Sequence, residues 1–207
     1  MPIHTKNLRT MIAALCVLLA APAALAASPV DFSNPAFAQV GGRTSVPVGH
    51  SEFCRLNPGE CPVYASVREV TELTAQSWAE LVAINNEVNS SIVPISDQDF
   101  YQMAEYWTYP AGYGDCEDIA LAKRRALVER GWDPSTLLMA VVRETDGNGH
   151  AVLMVRTDRG DLVLDNQDGT IRLWGETPYH FLKRQSQANA AEWVDIVDNR
   201  VFMVATK

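Results

Sequence analysis

The spacing of apolar residues changes along this chain from a helical period to a strand period. Within residues 66–88, apolar side chains recur at intervals of three and four, and the polar run Asn85–Asn89 closes the segment. That spacing places one apolar face on an amphipathic helix. A second helix is predicted for residues 115–130, where it stops before Gly131, a residue typical of the position that follows a helix.

Beyond residue 135 the pattern changes to short apolar runs separated by Gly, Asp and Asn, which is typical of strands joined by tight turns. A short helix interrupts them at Tyr179–Gln185. Helices followed by strands indicate the α+β class, with N-terminal helices packed on an antiparallel sheet. The predicted strands form a meander and a terminal hairpin: Leu137–Arg143, His150–Thr157, Asp161–Asp165, Thr170–Trp174, Trp193–Val197 and Arg200–Ala205.

The first residues have the composition of an export signal. Residues 1–26 contain a basic start, an apolar stretch from Met11 to Ala20, and a small-x-small motif that ends at Ala26. This predicts a secretory signal that is cleaved near Ala26, because a membrane anchor requires a longer apolar run. No later segment is long and apolar enough to span a bilayer, so no membrane insertion is expected after cleavage.

The rest of the chain is predicted to be one domain with a short lead-in. Residues 27–50 are rich in Pro, Gly, Ser and Ala without a period, which predicts an irregular segment before a domain at 51–207. The formal net charge of the whole chain is -8, and no basic stripe is present. Nucleic acid is therefore not an expected partner.

Three cysteines remain after the signal is removed, which leaves one unpaired thiol if the other two form a bond. Cys54 and Cys61 lie close in sequence with Pro58-Gly59 between them to turn the chain, so they are predicted to form a disulfide. Cys116 is then free, and a free thiol in an oxidising compartment favours a working role.

Cys116 lies where a cysteine can act as a nucleophile. It follows Gly114 and Asp115 at the start of the second predicted helix, where free backbone N–H groups and the helix dipole favour a thiolate. His150 follows a turn, and Asp165 ends an apolar strand, so the chain offers a nucleophile, a base and an orienting acid in that order. The structural alternatives are a buried cysteine, a strand histidine held by a neighbour, and an aspartate that starts a turn.

The strand register decides whether His150 and Asp165 meet. If Asp158-Arg159 is a two-residue hairpin turn, Thr157 faces Gly160, and Asp165 lies diagonal to His150 on the same face of the sheet. A turn that is one residue longer moves Asp165 to the other face. The triad therefore requires the tighter register or a bulge.

The motifs at 114–118, 150–153 and 164–166 resemble the bacterial transglutaminase-like cysteine peptidases, which include the LapG-type periplasmic adhesin-releasing proteases. Residues 53–61 and 88–89 also resemble this family, so the similarity covers most of the chain from about residue 50 to 185. The resemblance implies a papain/transglutaminase-like fold with the triad Cys116, His150 and Asp165. It also implies a periplasmic location and a protein substrate, such as a cell-surface adhesin whose cleavage leads to biofilm release. An inner-membrane receptor that sequesters the enzyme is a further implication.

The implied chemistry is acyl transfer through a thiol. Cys116 would attack a peptide carbonyl, His150 would relay the proton, and Asp165 would fix the imidazole tautomer. The backbone N–H of Cys116 is expected to hold the oxyanion. By analogy with transglutaminase-like enzymes, the indole of Trp107 is the candidate second donor, with core packing as its alternative role.

Three carboxylates next to the thiol raise an electrostatic problem. Asp115, Glu117 and Asp118 should raise the pKa of Cys116 and weaken the nucleophile. A capping box formed by Asp115 and Asp118 is one explanation. A bound cation is another, because oxygen ligands suit Ca²⁺, and the resemblance implies calcium dependence with these three residues as partial ligands.

Two rival functions share the same fold. A transglutaminase or a deamidase would use the same triad on glutamine side chains, and the sequence does not separate these reactions from peptide hydrolysis. A catalytically inert binding module is the third possibility, although the intact Cys, His and Asp argue against it.

Overall fold

The computed structural model describes residues 36–200, which form four α-helices and nine strands. The helices are α1 (Val48–Leu56), α2 (Ala75–Ser91), α3 (Asp97–Phe100) and α4 (Cys116–Glu129). The strands are β1 (Val40–Thr44), β2 (Val93–Pro94), β3 (Tyr113–Gly114), β4 (Leu137–Arg143), β5 (Gly149–Thr157), β6 (Gly160–Leu164), β7 (Arg172–Leu173), β8 (His180–Gln185) and β9 (Trp193–Ile196). None of the helices within this range has the length and apolar character to cross a membrane.

Seven strands form one antiparallel sheet in the order β1-β9-β8-β4-β5-β6-β7. β4 and β5 lie at its centre, and α4 packs against both, with α2 packed against α4. β2 and β3 form a separate parallel pair, of which β3 lies just before α4. The predicted α+β class, with helices on an antiparallel sheet, is confirmed.

Strand β5 is apolar from Ala151 to Val155 because the sheet is covered on both faces there. Leu153 and Val155 belong to the core beneath α2 and α4. Val152 and Met154 belong to a second core on the opposite face, which includes Phe181. Successive side chains of a strand point to opposite faces, so a strand buried on both sides needs apolar residues at every position.

Two predicted helical segments differ from the structure. The first predicted helix begins at Ala75 rather than near residue 66, and Thr71 instead forms an isolated bridge with Thr157 of β5. The helix starts where Thr74 and Ser77 exchange side-chain and backbone hydrogen bonds in a capping box. The predicted helix at residues 179–185 is wrong, because His180–Gln185 is strand β8.

The ends of the chain fall partly outside the described residues. The predicted signal at 1–26 lies outside them, as does the second strand of the terminal hairpin beyond Arg200. β1 lies within the predicted irregular segment 27–50 and pairs with β9, so part of that segment is a regular strand of the sheet.

Candidate active site

The N-terminus of α4 presents the thiol of Cys116. Asp115 is the N-cap residue, and Cys116 is the first residue of the helix. The backbone N–H of Ala151 on β5 donates to Cys116 Sγ at 3.4 Å, and the thiol donates to Glu117 Oε2 at 3.1 Å. The sulfur of Cys116 therefore lies between α4 and β5, with one hydrogen-bond donor and one hydrogen-bond acceptor beside it.

The hairpin of β5 and β6 brings His150 and Asp165 together. Thr157 pairs with Gly160 across a two-residue turn, which confirms the tighter register. His150 Nε2 lies 2.9 Å from Asp165 Oδ1, and both side chains are buried. Two side chains that are 15 residues apart in sequence thus form one buried pair, and His150 directly precedes Ala151, whose N–H contacts the sulfur of Cys116.

The carboxylate of Asp165 accepts hydrogen bonds on both oxygens. The backbone N–H of Gln167 donates to Oδ1 at 3.0 Å, and the hydroxyl of Tyr179 donates to Oδ2. Burial alone would raise the pKa of Asp165, but the hydrogen bond and charge of His150 and the bond from Tyr179 lower it below its usual value. Asp165 is therefore held as a charged acceptor next to the imidazole.

Tyr179 was missed by the sequence analysis, which assigned it to a helix. Its aromatic residue type and its place after Pro178 carry no signal of a role near the triad. Only the position of the loop before β8 places its hydroxyl against Asp165.

The second nitrogen of His150 has its own neighbours. Because Nε2 bonds the carboxylate of Asp165, the Nε2–H tautomer is favoured and Nδ1 keeps its lone pair. Gln167 Nε2 lies 3.4 Å from Nδ1, and Glu144 Oε1 lies 3.9 Å from it. Nδ1 is thus the nitrogen of His150 that can take a proton.

Cys116 and His150 open onto the same cleft, which has a volume of about 460 Å³. Its walls come from the start of α1, the segment before β3, and strands β4, β5 and β8. The lining includes Val48, Glu105, Trp107 and Lys183. A cleft of this size, open to solvent and floored by a thiol and an imidazole, can accept a polypeptide segment.

Trp107 lines this cleft while most of its indole is buried, with 4% of the residue exposed. Its Nε1–H donates to Glu105 Oε2 at 3.1 Å. The ring packs edge-on against His50, with the two ring centroids 5.3 Å apart. The structure therefore places the predicted oxyanion donor in the cleft of Cys116, with its N–H bonded to a carboxylate of the same chain.

The acidic residues next to Cys116 divide into two groups. Asp115 and Glu117 lie with Asp97 of α3, and one carboxylate oxygen from each lies within 4.8 Å of the others. Asp118 is not among these three carboxylates; its Oδ1 accepts the N–H of Thr108 at 2.8 Å, and burial, together with the charges of Asp115 and Asp97, raises its pKa to about 7. Asp97 is not among the site residues predicted from the sequence.

The capping box predicted for Asp115 and Asp118 is not formed on the Asp115 side. Asp115 is the N-cap residue, but its side chain makes no capping hydrogen bond. Its Oδ2 instead accepts the backbone N–H of Asp97 at 3.2 Å. Its other oxygen is buried, and no donor among residues 36–200 reaches it.

Burial and the closeness of the carboxylates raise the pKa values in this cluster. Burial, and then the charge of Asp115, raise the pKa of Glu117 to about 9. Burial also raises the pKa of Asp97. Burial, and then the neighbouring Glu117 carboxylate, raise the pKa of the Cys116 thiol well above its usual range. The cluster of the protein alone thus favours protonated groups and opposes a thiolate.

The residues of this cluster fit a hard divalent cation. Three carboxylates converge, and one buried oxygen of Asp115 lacks a donor within the described range. Oxygen ligands of this kind are preferred by Ca²⁺. Uncompensated buried carboxylates are costly, and a cation would remove that cost.

A second histidine and cysteine lie close together but cannot form a nucleophile and base. His50 Nδ1 lies 3.6 Å from Cys54 Sγ. Cys54 is bonded to Cys61, which confirms the predicted disulfide and leaves no thiol there. Within residues 36–200, Cys116 is the free cysteine.

Solved structures of one protein are similar to this chain, and the first of them shares its fold. Calcium-bound LapG of Legionella pneumophila matches with a TM-score of 0.50 and 22% identity, over 63% of this chain and 75% of that chain. A second LapG structure from this organism matches with a TM-score of 0.47 and 25% identity, over 52% and 63% of the two chains. An EGTA-treated form has a TM-score of 0.49 and 22% identity, over 59% and 72%.

The sequence of the chain matches a known protein family over most of its length. A search of curated proteins finds no match. The profile of the family described as bacterial transglutaminase-like cysteine proteinase BTLCP matches residues 40–201. Because this match spans well over half of the 207 residues, the chain belongs to the bacterial transglutaminase-like cysteine proteinases.

Proposed function

We propose that this protein is a periplasmic cysteine endopeptidase in which Cys116 is the nucleophile, His150 the general base and Asp165 the residue that orients the base. The observation that carries the proposal is the buried bond of Asp165 to His150, which lines the same cleft as the thiol of Cys116. A nucleophile and a base in one cleft, with a carboxylate bonded behind the base, are the parts that acyl transfer requires.

The proposed reaction uses the two ends of the imidazole. His150 Nδ1 takes the thiol proton as Cys116 Sγ attacks the peptide carbonyl, and Asp165 stabilises the imidazolium through Nε2. His150 then gives the proton to the leaving amine, and water hydrolyses the acyl-enzyme. The N–H of Cys116 and the indole of Trp107 would hold the oxyanion once Glu105 releases Trp107.

Calcium is proposed as the partner of the acidic cluster, with Asp97, Asp115 and Glu117 as its side-chain ligands. The geometry of the three carboxylates and the orphaned oxygen of Asp115 support it. The calcium-bound LapG structure, which has the same fold, is a further reason to test calcium. A bound ion would supply positive charge that offsets the carboxylates beside Cys116. Asp118, the third ligand expected from the sequence, stays a candidate ligand, because its Oδ2 is also buried and accepts no hydrogen bond within residues 36–200.

The family and the predicted signal support a proposal for the location and the substrate. The composition of residues 1–26 and the LapG-type resemblance favour export to the periplasm. Membership of a peptidase family implies a protein substrate. We propose a large cell-surface adhesin as that substrate, and an inner-membrane receptor as a regulatory partner.

The test is the reactivity of Cys116 towards iodoacetamide, mapped by mass spectrometry on the mature chain that starts near residue 27. Fast labelling that is lost in His150→Ala is expected, because an activated thiolate depends on its base. Loss of fast labelling with EDTA would support the cation site. Labelling at the rate of an ordinary free cysteine in every condition would contradict the proposal.

Incubation with a candidate adhesin identifies the reaction. Two shorter products on a gel support hydrolysis of the chain. An intact substrate in which glutamine has been deamidated or cross-linked would instead identify a deamidase or a transglutaminase.

A further inference from the structure

We propose that Tyr179 is a positioning residue of the active site, whose hydroxyl fixes the rotation of the Asp165 carboxylate and thereby the orientation of His150. The inference rests on the proposed function, since it concerns how the base is held. Tyr179 takes no part in the proposed bond formation or proton transfer, so it acts through Asp165 and through its contact with the His150 ring.

The hydrogen bonds of Asp165 fix the plane of its carboxylate. Oδ1 is shared by His150 Nε2 at 2.9 Å and the N–H of Gln167 at 3.0 Å. Oδ2 takes the hydroxyl of Tyr179. Contacts on one oxygen alone would allow the carboxylate to turn about its χ2 torsion, which is broad. A donor on each oxygen removes that freedom.

The ring of Tyr179 also touches the base. Its centroid lies 5.4 Å from that of His150, with the ring planes tilted by 60°. Tyr179 is 7% exposed, so it covers one side of the imidazole against water. One residue therefore contacts both members of the buried pair, the acid through a hydrogen bond and the base through its ring.

Tyr179 is itself held in place by the chain after β9. The guanidinium of Arg200 donates to the backbone carbonyl of Tyr179 at 2.7 Å. It also donates to the carbonyls of Trp174 and Thr177 at 3.1 and 3.3 Å. The loop that carries Tyr179 is thus fastened at three points, which suits a residue that must present its hydroxyl at a fixed position.

Packing alone does not account for the hydroxyl. A phenylalanine would fill the same space beside His150 without introducing a polar atom into a buried site. Buried hydroxyls need a partner, and the partner of Tyr179 is the carboxylate oxygen that His150 leaves free. The hydroxyl is therefore assigned to the alignment of Asp165 rather than to the core.

The experiment compares Tyr179→Phe with the matched variant Tyr64→Phe. Tyr64 also uses its hydroxyl in a hydrogen bond, which it accepts from Arg124 at 2.9 Å. In Tyr179→Phe we expect kcat to fall about tenfold or more, as for loss of a bond to a charged group, while KM stays within about twofold. Alkylation of Cys116 should slow in parallel, and Tyr64→Phe should match the wild type in both assays.

Nuclear magnetic resonance of the His150 ring supplies a readout that does not need catalysis. In ¹⁵N-labelled protein, the Nε2–H signal of His150 should shift and exchange faster with water in Tyr179→Phe, and Tyr64→Phe should leave it unchanged. A purely structural role for Tyr179 predicts a lower melting temperature with no change in this signal.

The outcomes separate the two proposals. If wild-type Cys116 lacks reactivity that depends on His150, the proposed function fails, and the Nε2–H signal alone then decides the role of Tyr179. If the wild type is active and Tyr179→Phe has the same kcat, alkylation rate and ring signal, the positioning role is wrong.

Discussion

At the residue scale, Asp97 is a member of the acidic cluster that the sequence pattern does not indicate. It lies 18 positions before Asp115, in a segment without a clear period, yet its backbone N–H bonds the Asp115 side chain. The parallel pairing of Val93 with Tyr113 and of Pro94 with Gly114 brings the two segments together. Cys116, His150 and Asp165 could be predicted because each lies beside a recognisable signal: a helix start, a turn and the end of an apolar strand. The position of Asp97 depends on a two-residue strand pairing that has no sequence pattern.

Replacing Asp97 by Asn tests its proposed role as a calcium ligand. The amide oxygen of Asn can still accept the N–H of Tyr106, which Asp97 bonds, but the negative charge is lost. We expect calcium affinity to fall about tenfold or more, since ligand charge sets affinity at such sites. Isothermal titration calorimetry measures it directly. The control is Asp99→Asn, an exposed position on the same helix, and an equal loss in both variants would argue against a specific site.

His50 predicts a pH dependence of stability. Burial, and then the charge of Arg124, lower its pKa to about 4 from the usual 6.5. The unfolded chain therefore binds a proton at position 50 between about pH 6.5 and 4, where the folded chain does not. Stability must fall as the pH decreases through that window, by up to about 3 kcal/mol from this one residue.

Chemical denaturation at a series of pH values tests this linkage. His50→Phe removes the titrating group, so its free energy of unfolding should fall less steeply than that of the wild type between pH 6.5 and 4. The comparison uses slopes, which a uniform loss of stability does not change. Parallel curves would mean that His50 titrates normally in the folded protein.

At the scale of elements, α1 connects the disulfide to the candidate site. Cys54 lies near its end and is bonded to Cys61, while Gly49 and His50 near its start pack on Trp107. A Cβ at position 49 would lie 2.8 Å from Trp107 Nε1, which is too close for an undisturbed indole. α1 therefore sets the position of the predicted oxyanion donor by close contact.

Gly49→Ala should displace that indole. Alanine favours a helix over glycine by about 1 kcal/mol, so a lower kcat in this variant cannot be explained by a weaker helix. We expect slower turnover and altered tryptophan fluorescence. Gly59→Ala is the control, because nothing lies within 4 Å of a Cβ there. Equal turnover in both variants would mean that the position of Trp107 does not affect the reaction.

In the two segments that the sequence mispredicted, contacts with the sheet override the local pattern. Residues 66–74 have apolar side chains at helical spacing, but the segment runs along the sheet through the bridge of Thr71 to Thr157. β8 buries polar residues such as Gln185, whose side chain accepts the N–H of Met139, and its pairing with β4 shifts between Val141 and Val142. A strand with buried polar residues and a shifted register shows no alternating pattern.

At the scale of the whole molecule, the candidate site collects residues from distant parts of the chain. The base and acid lie on one hairpin, the nucleophile on α4, Tyr179 before β8, and the proposed cation ligands on α3 and α4. The central strands hold them in one arrangement because both faces of the sheet are buried. The fold class could be predicted from the order of helices and strands, whereas the strand order β9-β8-β4 required the structure.

Calcium should stabilise the whole chain if the acidic cluster binds it. At a free concentration 100 times the Kd, a ligand that binds only the folded state adds about 2.7 kcal/mol to the free energy of unfolding. For a protein of this size that corresponds to a rise in Tm of roughly 5–10 °C. Differential scanning calorimetry with calcium and with EDTA measures it, and coincident transitions would exclude a cation linked to folding.

The two-residue turn at Asp158-Arg159 also limits how the gene can change. Side chains alternate across a strand, so inserting one codon there would carry Asp165 to the face opposite His150. Two inserted codons would restore the alternation, since the period is two. Lengths in this hairpin are therefore expected to vary among descendants of the gene in steps of two residues, and an odd step would need a compensating bulge.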